Sequence, residues 1–78
     1  MNWKDRIISD PAVLVGKPVV KGTRLSVEFL LGLKGAGWSD EQVIENYPHL
    51  SVDDLQAVFA FAAALIKDED FIPLEMVQ

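Results

Sequence analysis

The sequence predicts a mainly α domain with short N-terminal β-strands, in which three helices end in a helix-turn-helix. Three observations carry that expectation. No helical period occurs before Leu25, where β-prone runs alternate with glycine and proline. Ser26, Ser39 and Ser51 each stand where an N-cap belongs, directly ahead of helix-like sequence. Only Pro48 to Ser51 separates the second helix from the third, a spacing that suits a helix-turn-helix turn.

The elements follow in order. Arg6-Ile7-Ile8-Ser9 reads as a short strand closed by the turn signal Asp10-Pro11. Val13-Leu14-Val15 reads as a second short strand, Val19-Val20 as an extended piece, and Thr23-Arg24-Leu25 as a returning one. Helix grammar begins at Ser26, with Glu28 in the first turn to suit the dipole. Val27, Leu30, Leu31 and Lys34 share one face, and Gly35 and Gly37 end that helix. Ser39-Asp40-Glu41-Gln42 matches a capping box, Trp38 and Val43 match a hydrophobic staple, and Pro48 stops the helix near Tyr47. Ser51, with Asp53 and Asp54 in the first turn and Leu50 opposite Leu55, starts a third helix expected to reach about Lys67.

The third helix is apolar nearly all round. Val52, Leu55, Phe59, Ala62 and Ile66 form one stripe, and Val58, Phe61 and Leu65 form another. A helix of that kind is buried on several sides, and two short preceding helices cover only one. The expectation is a homodimer with Val58, Phe61 and Leu65 at the interface. The chain divides into a domain over 1–67 and a tail over 68–78. The tail combines a charged break, Asp68-Glu69-Asp70, with the apolar residues Phe71, Ile72, Leu74 and Met76. Those four are candidate partner-binding residues, because apolar anchors supply most interface affinity.

Composition narrows the class. With 78 residues the chain makes one small domain, and 50% hydrophobic residues is rich for that size. There are no cysteines, hence no disulfide framework and no thiolate zinc site. The longest apolar run, Ala57 to Ile66, falls short of the ~20 residues of a membrane span, and the N-terminus has no signal-peptide run. A soluble, cytoplasmic protein is expected. The net charge of −5 is uneven: five basic side chains face two acidic ones up to Leu25, and two face ten beyond it. Such asymmetry suits halves that meet different partners.

The segment Gly16-Lys17-Pro18-Val19-Val20-Lys21-Gly22-Thr23-Arg24-Leu25-Ser26-Val27 invites chemistry, but its glycines lack phosphate-loop spacing. Thr23 or Ser26 as a nucleophile would need a base, and the single histidine, His49, sits in a turn beside Pro48. The acids match no calcium loop. No catalytic residue, metal or cofactor is expected, and no enzyme. A hairpin with a basic edge remains, in which Lys17, Lys21, Thr23 and Arg24 present themselves to a phosphate backbone. In a helix-turn-helix the start of the last helix enters the major groove. There Gln56 is the natural base reader, while Asp53 and Asp54 would oppose phosphates.

Ile8-Ser9-Asp10-Pro11, the Gly16–Val27 string, Gly37-Trp38-Ser39, Tyr47-Pro48-His49-Leu50 and Asp53-Asp54-Leu55 together resemble the bacterial domain-of-unknown-function family 433 across nearly the whole chain. The resemblance implies a winged or homeodomain-like helix-turn-helix similar to VapB-type antitoxins. It also implies a PIN-like ribonuclease toxin as partner. The expected function is therefore an antitoxin that neutralises such a nuclease and binds its own promoter DNA. A helix-turn-helix regulator without a toxin, or a dimeric interaction module, are the alternatives.

Overall fold

In the computed structural model, which describes residues 2–68, the chain opens on a cap. The Asn2 side chain accepts the Lys4 N–H at 3.0 Å and starts a single 3₁₀ turn, Trp3–Asp5. Strand β1 (Ile7–Ser9) follows and pairs antiparallel with β2 (Pro18–Val20), with Ile7 opposite Val20, Ile8 opposite Val19 and Ser9 opposite Pro18. Pro18, which has no N–H to donate, occupies the first strand position, where that costs least. Ile7, Val19 and Val20 turn into the core.

Val13-Leu14-Val15, read from its β-branched residues as a strand, is instead part of a tight connection between β1 and β2. Asp10 initiates it: its carboxylate accepts the Ala12 N–H at 2.9 Å and its carbonyl accepts the Val13 N–H at 2.8 Å. Leu14 and Val15 then take left-handed φ angles of 49° and 56°. The Ser9 hydroxyl donates to the Gly16 carbonyl and locks the loop shut. Closure of the loop has overridden strand propensity. Val15 is 94% exposed, so nothing packs against it to offset a conformation that costs a β-branched residue ~1–2 kcal/mol. Val15→Asn, which tolerates this region, is expected to raise stability by up to ~1 kcal/mol in a thermal or urea melt.

The run Thr23-Arg24-Leu25 does not form its own strand either. Val20 to Thr23 make a turn closed by Thr23 N–H to Val20 O at 3.0 Å, and Gly22 supplies the φ of 84° that its third position requires. The chain then touches β2 again through Val20 N–H to Leu25 O and a single bridge between Val19 and Ser26.

The three helices start at the expected caps. Helix α1 (Val27–Gly35) is capped by Ser26 Oγ, which accepts the Phe29 N–H at 2.9 Å. It ends in a Schellman arrangement, with Trp38 N–H to Leu33 O and Gly37 N–H to Lys34 O, and Gly37 takes φ 98°. Helix α2 (Asp40–Asn46) carries the full capping box between Ser39 and Gln42. Lys34 at the end of α1 meets Asp40 at the start of α2 at 2.7 Å. Helix α3 (Val52–Asp68) has a second box: Ser51 Oγ accepts the Asp54 N–H, and Asp54 Oδ2 accepts the Ser51 N–H at 3.0 Å.

The core lies where the small sheet and the helices meet. Leu30, Val43, Leu50, Leu55, Ala57 and Val58 are buried there with Ile7, Val20 and Val27. The N-terminal 3₁₀ turn lies along α3, and Trp3 packs edge-on against Phe61 at 4.9 Å. Part of the apolar surface of α3 is thus covered by the chain's own first residues. Val58, expected at a dimer interface, is 1% exposed and belongs to this core. Among the described residues no helix is long and apolar enough to cross a membrane.

Candidate functional site

Two ion pairs shape the surface around the sheet. Arg6, at the threshold of β1, reaches across to the start of α3, where Nη1 donates to Asp54 Oδ1 at 2.9 Å and Nη2 lies 3.5 Å from Asp53 Oδ2. Arg6 thus engages both first-turn acids of α3. Lys17 Nζ meets Glu28 at 3.1 Å. The sequence shows Arg6 only as a cation ahead of a β-prone run, and its partner lies 48 residues away.

Three hollows flank these pairs. The first, about 350 Å³, is a cleft between α1 and the end of α3, with Pro18, Val27, Leu31, Phe61 and Leu65 among its walls and Lys17 at its edge. It is almost entirely apolar, and Leu65 is 51% exposed beside it. The second, about 420 Å³, is polar and lined by Asn2, Asp5, Arg6, Lys21 and Asp54. The third, about 260 Å³, is a crevice where the turn containing Thr23 and Arg24 faces Asn46, Tyr47 and His49 of the α2–α3 connection.

The residues expected to contact nucleic acid are scattered over these surfaces. Lys17 is tied to Glu28 beside the apolar cleft, and Lys21 lies among acids in the polar hollow. The Thr23 hydroxyl is committed to its own turn, donating to Val20 O at 2.8 Å and accepting the Leu25 N–H at 3.0 Å. Arg24 is exposed, and neither it nor Lys21 forms an ion pair among the described residues. Gln56 is exposed on α3, one turn beyond the two carboxylates that Arg6 holds. Of the expected interface residues, Phe61 and Leu65 line the cleft. Phe71, Ile72, Leu74 and Met76 lie outside the described residues.

A two-stranded antiparallel sheet against three helices, with an apolar cleft beside the last of them, defines a small α-rich domain. The chain belongs to the family described as "Protein of unknown function (DUF433)", whose model matches residues 7–62. It is also 33% identical over 61 residues to the uncharacterized protein y4eO of Sinorhizobium fredii (strain NBRC 101917 / NGR234). That alignment covers 78% of this chain but only 28% of the relative. No solved structure matches the chain.

Proposed function

We propose that the domain is a protein-docking module, acting in the bacterial cytoplasm as the antitoxin of a toxin–antitoxin pair, with a PIN-like ribonuclease as the protein it holds. The observation that carries this reading is the apolar cleft between α1 and α3, with Leu65 half-exposed at its side. Apolar pockets that accept an anchor residue are where protein interfaces concentrate their affinity. The tail sequence that follows α3 extends the same chemistry, with Phe71, Ile72, Leu74 and Met76 set among Asp68, Glu69, Asp70 and Glu75. Acids of that density complement a partner whose own site is basic because it binds RNA.

The test is co-purification of a PIN-like ribonuclease with the wild-type chain, with Leu65→Asp and with a truncation after Lys67. Loss of at least about tenfold in binding is expected for both variants. Full retention by both would refute the reading.

A second reading is favoured by the exposed cations Lys21 and Arg24. In it α2, the Tyr47–Ser51 connection and α3 act as a helix-turn-helix regulator of DNA, with the hairpin turn resting on phosphates. It requires binding that steepens as salt falls and that weakens in Lys21→Ala and Arg24→Ala across all sequences alike. The first turn of α3 counts against it, since Asp53 and Asp54 stand where a recognition helix meets the phosphate backbone.

A further inference from the structure

We propose that α3 pairs antiparallel with the α3 of a second copy of this chain, along the stripe of Val52, Phe59 and Ile66 rather than that of Val58, Phe61 and Leu65. This face is distinct from the cleft, so the proposal stands whether or not the cleft holds a toxin. With Leu55, Ala57 and Val58 buried, the exposed positions on the opposite side are Val52, Gln56, Phe59, Ala63 and Ile66. Their spacing is four, three, four and three, the repeat of a coiled-coil seam. Val52, Phe59 and Ile66 are 51%, 44% and 54% exposed, although each is large and apolar. The seam runs the length of the helix, ~21 Å at 1.5 Å per residue.

The order of residues selects the occupant and its direction. Laid antiparallel about Phe59, Val52 of each copy meets Ile66 of the other, and the two Phe59 rings meet at the centre. Gln56 then lies within one residue, ~1.5 Å, of the level of Ala63, the smallest residue of the seam, which leaves room for the longer amide. A single polar residue in an apolar seam fixes register. The same alignment sets Asp53 of one copy beside Lys67 of the other, twice, on the flank of the seam. Lys67 is exposed, and Asp53 keeps 60% of its side chain exposed with only the 3.5 Å contact to Arg6. A parallel pair would put the two Asp53, and likewise the two Lys67, on opposite flanks and leave each without an opposite charge across the seam. Charge complementarity thus belongs to the antiparallel pair of identical chains alone.

The experiment is sedimentation equilibrium of the full chain over a concentration series. The wild type is expected to dimerise, and Phe59→Glu to raise the dissociation constant by ~100-fold or more. Because Phe59 is on the surface, the far-UV spectrum and the melt of dilute Phe59→Glu are expected to match those of the dilute wild type. Asp53→Lys and Lys67→Asp are each expected to weaken the dimer roughly tenfold, and the double exchange to restore it. A wild type that stays monomeric throughout would overturn the proposal, as would one that is monomeric and loses binding to a different protein in Phe59→Glu. So would a dimer abolished by Leu65→Asp but indifferent to Phe59→Glu, or a double exchange that fails to restore association.

Discussion

Leu30→Ala is expected to lower stability by ~2–5 kcal/mol, the usual range for a fully buried leucine. Leu30 has no exposed surface and sits among Val27, Val43, Leu55 and Val58 in the one core that the described residues share. The substitution removes apolar area and leaves a cavity that sheet and helices cannot both move to fill. A chain of 78 residues has a total stability of only ~4–12 kcal/mol, at ~0.05–0.15 kcal/mol per residue. The melting midpoint should therefore fall by more than ~10 °C, and the variant will be partly unfolded if the wild type lies at the lower end. Leu65→Ala supplies the comparison. Half-exposed beyond the core, it should change stability by no more than ~0.5 kcal/mol. Chemical denaturation of the three proteins checks both values.

Asp54→Ala is expected to cost ~1–2 kcal/mol, more than a surface carboxylate normally contributes. The side chain is 14% exposed and makes two bonds in different directions. Oδ2 closes the capping box on Ser51, and Oδ1 accepts from Arg6 at 2.9 Å. Removing it abolishes half of a cap worth ~1 kcal/mol and leaves Arg6 without its nearer partner. Arg6 is 37% exposed and can turn to water, which limits the second loss. Asp54→Asn retains a carbonyl oxygen for the cap and should cost about half as much. Arg6→Ala alone should cost ~1 kcal/mol, and a double-mutant cycle between positions 6 and 54 should return a coupling of ~0.5–1.5 kcal/mol. That coupling would tie the residue ahead of the first strand to the last helix independently of the core.

Much of the helical half was legible because capping is local chemistry. Ser26, Ser39 and Ser51 announce their helices within four residues, and Gly37 and Pro48 announce two ends. Hydroxyl and amide need no knowledge of the rest of the chain to find each other. The connection over residues 10–17 was not legible, for the opposite reason. Val13 and Val15 vote for strand, and they are overruled by the Asp10 turn and by a Ser9 hydroxyl reaching the carbonyl of Gly16. The Arg6–Asp54 pair was hidden by sequence distance, its partners standing 48 residues apart.

The face of α3 was misread because hydrophobicity alone cannot orient a helix that is apolar nearly all round. Val58 and Phe59 are equal in that respect, yet the first is buried and the second is 44% exposed. What separates them is the N-terminal turn, which brings Trp3 onto Phe61 and so decides which side of α3 is inward. The cleft follows from the same packing. Leu65 extends the stripe of Val58 and Phe61 by one more turn, past the buried core, and is left with Leu31 and Pro18 around an apolar hollow.

The central claim is that this domain receives protein at the cleft and does not place the start of α3 in DNA. Amide chemical-shift mapping of the full chain during titration with a PIN-like ribonuclease tests it most directly. Displacements centred on Leu31, Phe61 and Leu65, with Asp53 to Gln56 unmoved, are the predicted result. No displacement with the nuclease, together with displacement of Asp53 to Gln56 by a DNA duplex from the upstream region, would contradict it.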